Sequence, residues 1–501
     1  MKKKKKKRIE DEVLEEMLES VDVLDPPACR HFFMCGGCFC QHLSCEDQLR
    51  FKETLIRRLL FPVLNSHGVD EEEFDRIFMP AAASPDAFGY RNKMEFSFGD
   101  EFKGGPLALG LHRRNGHYDI VNVVGCRIVD EDFTMILSVA LSYFGSRGVS
   151  YCHHNTHVGY LRHLMIRKGH FTGEILVDLV TTTQDPGLTG TDEQALLEGF
   201  RDELTTLERA GKLLGSIAGI LHTKNDSVAD IIKDEGTDIL YGKDYFYEKS
   251  LGLSFKVTPF SFFQTNSAGA EILYSTARDF IREVFDGNSG ADYGRVIYDL
   301  YSGTGTIAQI LSAGDFADGK DRRVIGVEIV SEAVEAAKEN ATLNGLDNCE
   351  FIAGDVLKML DNIEAPPSFI VLDPPREGIH PKVLSKIIAY GLPHILYISC
   401  KPSSLARDLD AFLTAGYRVD HIKPVDMFPG TRHVETVCLL SQRKPDTTIE
   451  VDLDISELEV SSAETKATYE EIKSYVLKKF GLKVSNLYIA QVKRECGIVE
   501  R

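Results

Sequence analysis

The sequence predicts an α/β protein in which a doubly wound parallel sheet follows a separate β-rich region. Short alternating or apolar runs recur between Tyr90 and Val257, separated by turn residues, which is typical of antiparallel strands. Residues 295–308 form an apolar strand, a glycine-rich turn and a helix, and further apolar strands alternate with helical segments after them. The length of 501 residues accommodates about three domains. A short helical module at the C terminus completes the predicted fold class.

Composition and charge limit the possible classes of function. Hydrophobic residues make up 43% and charged residues 27% of the chain, which excludes a collagen-like, mostly disordered or coiled-coil protein. No apolar run approaches the roughly 18 residues of a membrane-spanning helix, so we expect no membrane partner. The net charge of -19 argues against a protein whose whole surface attracts a polyanion. Any contact with nucleic acid should therefore use a local basic patch.

The chain begins with a basic arm, Lys2 to Arg8, that leads into a helical pattern. Apolar residues from Ile9 to Val21 recur at helical spacing, so residues 1–25 are predicted to be a basic arm and an amphipathic helix. No apolar secretory segment follows the basic run, which favours a cytoplasmic protein. The arm itself is compatible with a solvated tail, a phosphate-contacting arm or a nuclear localisation signal.

A dense group of cysteines near the N terminus predicts a metal site. Five of the 11 cysteines fall between Cys29 and Cys45, and the odd total without a signal peptide argues against a disulfide framework. Cys29, Cys35 and Cys38 follow a C-x5-C-x2-C spacing, and a Gly-Gly turn lets the last two face one centre. The spacing matches neither a zinc ribbon nor a bacterial ferredoxin, so zinc and an iron–sulfur cluster both stay open on this evidence. Candidate fourth ligands are Cys40, Cys45 and the distant Cys126.

Basic residues recur along the predicted strands of the β-rich region. A charge on a strand usually marks a solvated face, but such side chains also contact phosphates in nucleic-acid complexes. The candidate phosphate contacts are Arg91, Lys93, Lys103, His112, Arg113, Arg114, Arg162 and Arg167. Residues 192–210 interrupt the strands with a helical pattern that carries no evident chemistry.

A glycine-rich turn in the C-terminal half predicts a cofactor loop. Gly303 and Gly305 stand between an apolar strand and a helix, where glycines allow the turn and let a ligand approach the helix N-terminus. The pattern G-x-G-x-x-A also fits a nicotinamide-dinucleotide site. The next strand ends at Glu328, whose carboxylate is placed to accept hydrogen bonds from a ribose diol. The third strand ends at Asp355, a candidate contact for an adenine amine.

The fourth strand leads into a rigid loop, Asp373-Pro374-Pro375-Arg376. Loops at the carboxyl ends of strands form the ligand sites of open α/β sheets. Dehydrogenases have no need of such a proline-rich loop, whereas methyltransferases use Asp/Asn-Pro-Pro loops to hold a target base. Amino-methylating enzymes commonly place an aromatic residue after the two prolines. Arg376 occupies that position here and argues against an exocyclic amine as the target.

A cysteine and a glutamate beyond this loop are candidate catalytic groups. Cys400 follows the fifth strand, His394–Ser399, and precedes Lys401 and a helix that begins at Ser403. A helix N-terminus and a neighbouring cation lower the pKa of a thiol, which predicts a nucleophilic thiolate. The alternative is a buried, inert thiol. Glu435 opens a later apolar strand, either as a solvated cap or as a group facing the same cleft.

Six motifs occur in order between Pro27 and Leu440. They are the cysteine cluster, Ser261-Phe-Phe-Gln-Thr-Asn266, Asp299-Leu-Tyr-Ser-Gly-Thr-Gly305, Asp373-Pro-Pro-Arg376, Ser399-Cys-Lys-Pro402, and Met427-Phe-Pro429 with His433-Val-Glu435. Together they resemble the RNA uracil-5-methyltransferase family, which includes tRNA T-loop and 23S ribosomal RNA enzymes, and in particular its iron–sulfur members. We expect the N-terminal β-barrel RNA-binding domain of many members to be missing, because only about 25 residues precede the cluster.

The resemblance implies S-adenosylmethionine and a 4Fe-4S cluster as cofactors. It also implies a Rossmann-like methyltransferase domain in which Cys400 is the nucleophile and Glu435 the catalytic base. The residues implied for S-adenosylmethionine binding are Gln264, Tyr301, Glu328, Asp355 and Asp373. The implied cluster ligands are Cys29, Cys35, Cys38 and Cys126, which favours iron over zinc.

The resulting hypothesis is S-adenosylmethionine-dependent methylation of carbon 5 of a specific uridine in RNA, through a covalent cysteine adduct at carbon 6. We expect 23S ribosomal RNA rather than tRNA as the substrate, and a monomeric enzyme. An RNA cytosine-5 methyltransferase is the alternative within the class, and Arg376 disfavours it because those enzymes have a second cysteine in that place. An iron–sulfur, nicotinamide-dependent redox protein and a non-catalytic RNA-binding factor are the alternatives from other classes.

These assignments divide the chain into five segments. Residues 1–25 are the arm and helix, and residues 26–260 form an iron–sulfur and β-rich RNA-binding domain. Residues 261–443 form the methyltransferase domain. An acidic linker, 444–466, then leads to a small helical module, 467–501, that resembles one appended to some bacterial members and suits an interaction role.

Overall fold

Two seven-stranded sheets, one in each half of the chain, organise the protein. The computed structural model describes residues 7–116, 118–187, 192–287, 296–314, 322–363, 365–442, 469–480 and 489. The predicted acidic linker, most of the C-terminal module and the first lysines of the basic arm lie outside the described residues. No helix in the described part of the chain is both long and apolar enough to cross a membrane.

The helices and strands of the described residues are numbered in chain order. The helices are α1 (Ile9–Leu18), α2 (Cys45–Ser66), α3 (Glu71–Ile77), α4 (Glu131–Arg147), α5 (Glu193–Arg209), α6 (Ser267–Gly287), α7 (Thr306–Ser312), α8 (Ser331–Leu343), α9 (Val356–Met359), α10 (Pro381–Ala389), α11 (Pro402–Thr414) and α12 (Tyr469–Phe480). The strands are β1 (Lys93–Asp100), β2 (Leu107–His112), β3 (Ile120–Asn122), β4 (Leu161–Lys168), β5 (Glu174–Thr181), β6 (Ser216–Lys224), β7 (Thr237–Gly242), β8 (Phe246–Ser250), β9 (Leu253–Val257), β10 (Val296–Leu300), β11 (Arg323–Glu328), β12 (Cys349–Ala353), β13 (Phe369–Leu372), β14 (His394–Ser399), β15 (Tyr417–Val425) and β16 (Glu435–Gln442).

The first sheet belongs to the β-rich half and has the strand order β3-β2-β1-β4-β5-β6-β7. Its neighbouring strands are antiparallel except for β5 and β6, which run parallel. The prediction of antiparallel strands throughout is therefore wrong at this pair. The reason is α5, which lies between the two strands in sequence and returns the chain to the edge where β5 began, as a parallel crossover requires.

The middle strands of the first sheet are buried on both faces. All eight residues of β4 are buried, because α4 and α5 cover one face of the sheet and the hairpin of β8 and β9 packs near β5. Phe144 of α4 packs edge-on against Phe98 of β1 with ring centroids 5.8 Å apart. This explains why no alternation of buried and exposed residues remains along β4.

The second sheet belongs to the C-terminal half and has the order β12-β11-β10-β13-β14-β16-β15. The five strands from β12 to β14 are parallel, with helices between them, which matches the predicted doubly wound arrangement. Strand β16 runs antiparallel to both β14 and β15. This antiparallel end of the sheet places the beginning of β16 beside the end of β14.

The N-terminal helices pack on the second sheet, although the sequence places them before the β-rich region. Helix α2 lies against α11, and Leu60 and Leu64 of α2 join the core of the second sheet. After α3, Phe78 and Ala82 each form an isolated bridge with β15. The predicted domain of residues 26–260 therefore contributes packing to both sheets. The predicted amphipathic helix is α1, which buries Val13 and Met17 in a cluster with Cys40, Leu43, Phe51 and Leu55.

Three of the predicted phosphate contacts have structural partners instead. Arg167 is buried and donates to the carbonyl oxygens of Thr258, Pro259 and Ser261. Arg162 is buried and donates to the carbonyls of the loop that follows β6. Arg114 donates to the carbonyl oxygens of Phe32 and Cys38 in the cysteine-rich segment. The expectation that these side chains reach phosphates is wrong, because their guanidinium groups are committed to backbone carbonyls.

Candidate active site

The carboxyl edge of the second sheet gathers the predicted site residues of the C-terminal half. Parallel strands end at the same edge, and β13 pairs with both β10 and β14. Tyr301, Asp373 and Cys400 each follow one of these three neighbouring strands. Glu435 arrives from the opposite direction, because β16 is antiparallel to β14 and pairs Thr436 with Ser399. The candidate nucleophile and the candidate base are therefore brought to one place by strand topology.

The glycine-rich turn after β10 has the backbone that the sequence predicts. Gly303 and Gly305 have φ values of 53° and 75°, in the left-handed region that glycine adopts without strain. A Cβ atom at Gly305 would lie 2.5 Å from the Phe351 ring, so no larger residue fits there. Tyr301 also has a positive φ, 68°, which is strained for a residue with a side chain and is common at functional sites.

Glu328 organises the turn that faces it. Its Oε2 accepts a hydrogen bond from the amide of Gly303 at 3.1 Å, and its Oε1 accepts one from the amide of Val330 at 2.9 Å. Each carboxylate oxygen can accept a second bond, so the side chain can still bind hydroxyl groups. Asp355 follows the adjacent strand β12, is exposed, and accepts a hydrogen bond from the Leu357 amide as the N-cap of α9.

Tyr274 links Gln264 to the acidic groups of the edge, and the sequence analysis missed it. It lies on α6, is buried, and shares a side-chain hydrogen bond with Gln264. Burial and the charges of Asp373 and Glu435 raise its pKa. The only sequence signal is its position on the helix that follows the Ser261–Asn266 motif. The backbone carbonyl of Gln264 also accepts a hydrogen bond from the side chain of Asn92 at 3.1 Å, which ties this segment to the first sheet.

The pKa values of three carboxyl groups at this edge are raised above their usual range. Burial raises the pKa of Asp373 to about 7. Burial and the charge of Asp373 raise the pKa of Glu435 to about 8. The same two causes raise the pKa of Asp299 well above its usual value. Groups whose pKa lies near neutrality can both accept and donate protons under physiological conditions.

Asp299 is a second residue that the sequence analysis did not assign to the site. It lies in β10 two residues before Tyr301, its side chain is buried, and neither carboxylate oxygen has a hydrogen-bond partner among the described residues. Buried polar groups in folded proteins are nearly always paired. An unpaired carboxyl group beside a glycine-rich turn therefore indicates a place where a ligand binds.

The pKa of the Cys400 thiol differs from the predicted pKa. The structure confirms its position between the end of β14 and the beginning of α11. Burial and the charges of Glu435 and Asp373, however, raise its pKa to about 11, and Arg376 opposes them only in part. The prediction of a lowered thiol pKa is wrong for the protein alone, because the Lys401 side chain is exposed and the two acids are close.

The loop that leads to Glu435 is fixed by contacts from other parts of the chain. Lys52 of α2 is fully buried, pairs with Asp426, and donates to the carbonyl oxygen of Phe428 at 3.0 Å. Tyr90 donates its hydroxyl to the carbonyl oxygen of Pro429 at 2.9 Å. Further hydrogen bonds to this loop come from Asn266 and from the backbone amides of Phe39 and Cys40. The cysteine-rich segment thus packs directly on the loop that carries the candidate base.

The cysteine-rich segment brings four of its candidate ligands together. Cys29, Cys35, Cys38 and Cys126 are buried in the core of the first sheet. Burial and the charges of neighbouring cysteines raise the pKa of Cys126 to about 11 and that of Cys38 still further. Cys126 follows β3, which pairs with β2. Arg113, just after β2, forms an isolated bridge with Cys35, so the two paired strands bring Cys126 close to the cysteine-rich segment.

The two nearer candidates for a fourth ligand point elsewhere. Cys40 donates its thiol to the carbonyl oxygen of Thr431 at 3.6 Å, and Cys45 is exposed at the start of α2. Among the described residues, no three His, Cys, Asp or Glu side chains stand close enough to hold a metal ion. The described residues therefore do not show the predicted metal site as a formed group of ligands.

Comparisons with known proteins agree with one another. A family model described as tRNA (Uracil-5-)-methyltransferase matches residues 221–443. An uncharacterized RNA methyltransferase of Caldanaerobacter subterraneus subsp. tengcongensis is 44% identical over 442 residues, which cover 88% of this chain and 90% of that protein. A protein of Clostridium tetani with the same description is 43% identical over 444 residues, covering 89% of each chain.

A solved structure resembles this chain over most of the length of both proteins. It is the crystal structure of the Pyrococcus abyssi tRNA (uracil-54, C5)-methyltransferase in complex with S-adenosyl-L-homocysteine. Its TM-score is 0.60 at 25% sequence identity, and the match covers 81% of this chain and 86% of that one.

Proposed function

This chain belongs to the RNA uracil-5-methyltransferase family, and we propose that it transfers a methyl group from S-adenosylmethionine to carbon 5 of a uridine in RNA. The observation that carries the proposal is the meeting of Cys400, Glu435 and Asp373 at the carboxyl edge of the second sheet, where the two acids act on the pKa of the thiol. The proposed substrate is ribosomal RNA. tRNA is the class to test beside it, because the matching family model and the Pyrococcus abyssi enzyme are both described with tRNA.

Carbon 5 of uracil is unreactive until its conjugation is broken. In the proposed cycle the Cys400 thiol first gives up its proton to solvent. The thiolate then adds to carbon 6, which turns carbon 5 into an enolate carbon that attacks the methyl group. Glu435 then takes the proton from carbon 5, and the thiolate of Cys400 leaves from carbon 6. The products are 5-methyluridine, S-adenosylhomocysteine and a proton. This is covalent catalysis, in which several easier steps replace one difficult step.

The residues at the sheet edge fit S-adenosylmethionine. The unpaired carboxyl of Asp299 and the open backbone at Gly303 form a cradle at the glycine-rich turn, and Glu328 has acceptor capacity left for a ribose. In this proposal Gln264, Tyr301, Glu328, Asp355 and Asp373 hold the cofactor. When bound, S-adenosylmethionine supplies an electrophilic methyl group and a positive charge, and that charge lowers the pKa of a neighbouring thiol.

The proton state of the site follows from the same charges. Without a cation in the cleft, the Cys400 thiol has a pKa of about 11 and stays protonated near neutral pH. The carboxyl of Glu435, with a pKa of about 8, is within reach of deprotonation. Protonated groups protect the resting enzyme, because a neutral thiol reacts slowly with other electrophiles.

We further propose a structural 4Fe-4S cluster on Cys29, Cys35, Cys38 and Cys126. Support comes from the chemistry of the donor set, four buried thiols in one core. In this proposal the four cysteines fix the segment that packs against the loop before Glu435. They take no part in the methyl transfer.

The test is methylation of RNA by Cys400→Ala. Total ribosomal RNA and tRNA from cells lacking the protein are incubated with purified enzyme and S-adenosylmethionine, and 5-methyluridine is measured by mass spectrometry. We expect wild-type enzyme to methylate one RNA class and the variant to lose at least about 10⁴-fold in rate. Cys45→Ala, at an exposed cysteine, is the matched control and should retain full activity. Methylation by Cys400→Ala at the wild-type rate would remove the nucleophile from the proposal.

A further inference from the structure

A cleft in the first sheet, away from the catalytic edge, collects five histidines. His112 comes from β2 and His163 from β4, and three more lie on the segment before β4. The three are His153, His154 and His157. The enclosed space is about 60 Å³, several times what one water molecule requires. None of these side chains has a part in the proposed methyl transfer.

The floor of the cleft is polar and held in place. Asp230 accepts from His112 Nε2 at 3.1 Å and lies 3.4 Å from His163 Nε2. His163 is buried, and its Nε2 makes no hydrogen bond with any described residue. The loop that carries Asp230 is anchored by Arg162, which donates to the carbonyl oxygen of Ala229 at 2.9 Å. The imidazoles of His112 and His163 therefore both face the carboxylate of Asp230 at the floor of the cleft.

The rim of the cleft is aromatic. The rings of Tyr118 and His154 lie 4.4 Å apart with an interplanar angle of 33°. Tyr118 keeps 47% of its surface exposed. Tyr151 and His153 form a second, nearly parallel pair with ring centroids 6.3 Å apart. Tyr118 and His154 are exposed whereas Tyr151 and His153 are half-buried, and proteins stack unpaired bases on exposed flat rings of this kind.

The chemistry of the cleft distinguishes between possible ligands. Imidazole, thiol and carboxylate groups suit zinc, but no three of them among the described residues are placed to hold an ion. A phosphate would face the carboxylates of Asp100 and Asp230, which line the cleft. A flat, uncharged ring with a polar edge matches both the rim and the floor.

We propose that this cleft binds one unpaired base of the RNA substrate, stacked on Tyr118 and His154 with its polar edge toward His163 and Asp230. The inference rests on the proposed function, because it takes the ligand to be RNA. The base differs from the uridine that is methylated, since that uridine must reach Cys400. Its role is to select and position the RNA, so it contributes to affinity rather than to the chemical step.

The test is binding of single-stranded RNA by Tyr118→Ala and His154→Ala. Fluorescently labelled oligouridylate and oligoadenylate of about ten nucleotides are titrated with protein, and anisotropy gives the Kd. We expect each alanine variant to bind at least one oligonucleotide about tenfold more weakly than wild type, and Tyr118→Phe to bind within about twofold of it, because stacking needs only the ring. Tyr241→Ala, at an exposed tyrosine on the edge strand β7, is the matched control and should bind as wild type does.

Two results would overturn the proposal. One is unchanged Kd values for both alanine variants with both oligonucleotides. The other is stoichiometric binding of Zn²⁺ by the wild type that His112→Ala abolishes, which would make the cleft a cation site. Binding does not depend on turnover, so failure of RNA methylation with intact Tyr118-dependent binding would count against the proposed function alone. Methylation with unchanged binding would count against the cleft alone.

Discussion

The two sheets differ in how several of their buried charged groups are paired. In the first sheet, Lys168 contacts Asp130 and Asp132, both at 2.8 Å, and Arg167 donates to three carbonyl oxygens. In the second sheet, Asp299 has no hydrogen-bond partner among the described residues, and the pKa values of Asp373 and Glu435 are raised to about 7 and about 8. Each half also holds an exception, because burial raises the pKa of Asp178 in β5 to about 7 and one of its oxygens is unpaired in the described part of the chain, whereas Lys52 and Asp426 are paired beside the second sheet.

This difference separates structural from chemical roles. A buried charge with matched partners fixes the elements around it, and its pKa stays far from neutrality. A buried acid without partners costs stability, but its pKa moves to the range where proton transfer is efficient. Perturbed acids are therefore clustered at the catalytic edge, where Asp299, Asp373 and Glu435 lie together, whereas Asp178 of β5 stands apart from them. The following predictions test this contrast, from the largest expected effect to the smallest.

The contrast is sharpest at Glu435. Glu435→Gln should slow the release of 5-methyluridine product by about 10² to 10⁴-fold while methyl transfer still occurs, because the amide cannot take the proton from carbon 5. The covalent adduct between protein and methylated RNA should accumulate and appear as a shifted band under denaturing conditions. The exposed Glu377→Gln is the control and should turn over normally. Rapid release of free product by Glu435→Gln would exclude Glu435 as the base.

In the first sheet, where Lys168 is paired with two aspartates, Lys168→Met should destabilise the fold without affecting the methyl transfer. Removing the ammonium leaves Asp130 and Asp132 without their cation, and Asp132 is buried, so we expect a loss of about 3 kcal/mol in the free energy of unfolding. Urea denaturation measures it. Lys338→Met, in an exposed pair with Glu335, should change the free energy by less than about 0.5 kcal/mol. A large drop in kcat for folded Lys168→Met would contradict the separation of roles.

The raised pKa of Glu435 should make the free energy of unfolding depend on pH. The pKa of Glu435 is about 8 in the folded protein and 4.5 as its ordinary value. The folded state therefore keeps a proton that the unfolded state releases, and this contribution is complete below pH 4.5 and is lost as the pH rises to about 8. Glu435→Gln removes it, so the variant should gain stability relative to wild type by roughly 1 to 4 kcal/mol across that window. Parallel stability curves for the two proteins would refute the raised pKa.

The smallest expected effect is at Asp299. Asp299→Asn removes a buried carboxyl that has no partner in the described residues, so the melting temperature should rise by an amount equivalent to about 1 kcal/mol. Calorimetry should show weaker binding of S-adenosylhomocysteine. The control is Asp70→Asn, at the exposed N-cap of α3, since asparagine caps a helix as well as aspartate does. A destabilised Asp299→Asn with unchanged binding would assign Asp299 to the scaffold.

Much of the catalytic half follows from local sequence pattern. Strand β14 has the predicted bounds, His394–Ser399, and β11 and β13 differ from the prediction by one residue at one end. These strands are central in a parallel sheet, so each is a continuous apolar run that ends where the chain turns toward solvent. The predicted residues Glu328, Asp373 and Cys400 lie at those ends, so the order of the motifs was enough to bring them to one edge.

Other features depend on segments far apart in the chain. The pKa of Cys400 was predicted to fall because only its neighbours Lys401 and α11 were visible in sequence, yet Glu435 and Asp373 raise it. Arg162 and Arg167 resembled solvent-facing strand charges, but their strand is central and covered on both faces. Tyr274 joined the site only because α6 packs beneath the carboxyl edge.

By itself, the sequence determined the alternation of strands and helices, the glycine turn that Gly305 requires, and which acids and thiols stand at strand ends. These are consequences of short-range geometry, since a strand, a turn and a cap involve only a few neighbouring residues. Only the tertiary structure decided which charges were paired, which pKa values moved, and that the aromatic residues between Tyr118 and His163 form one cleft. Burial and charge pairing depend on partners hundreds of residues away, and no local pattern records them.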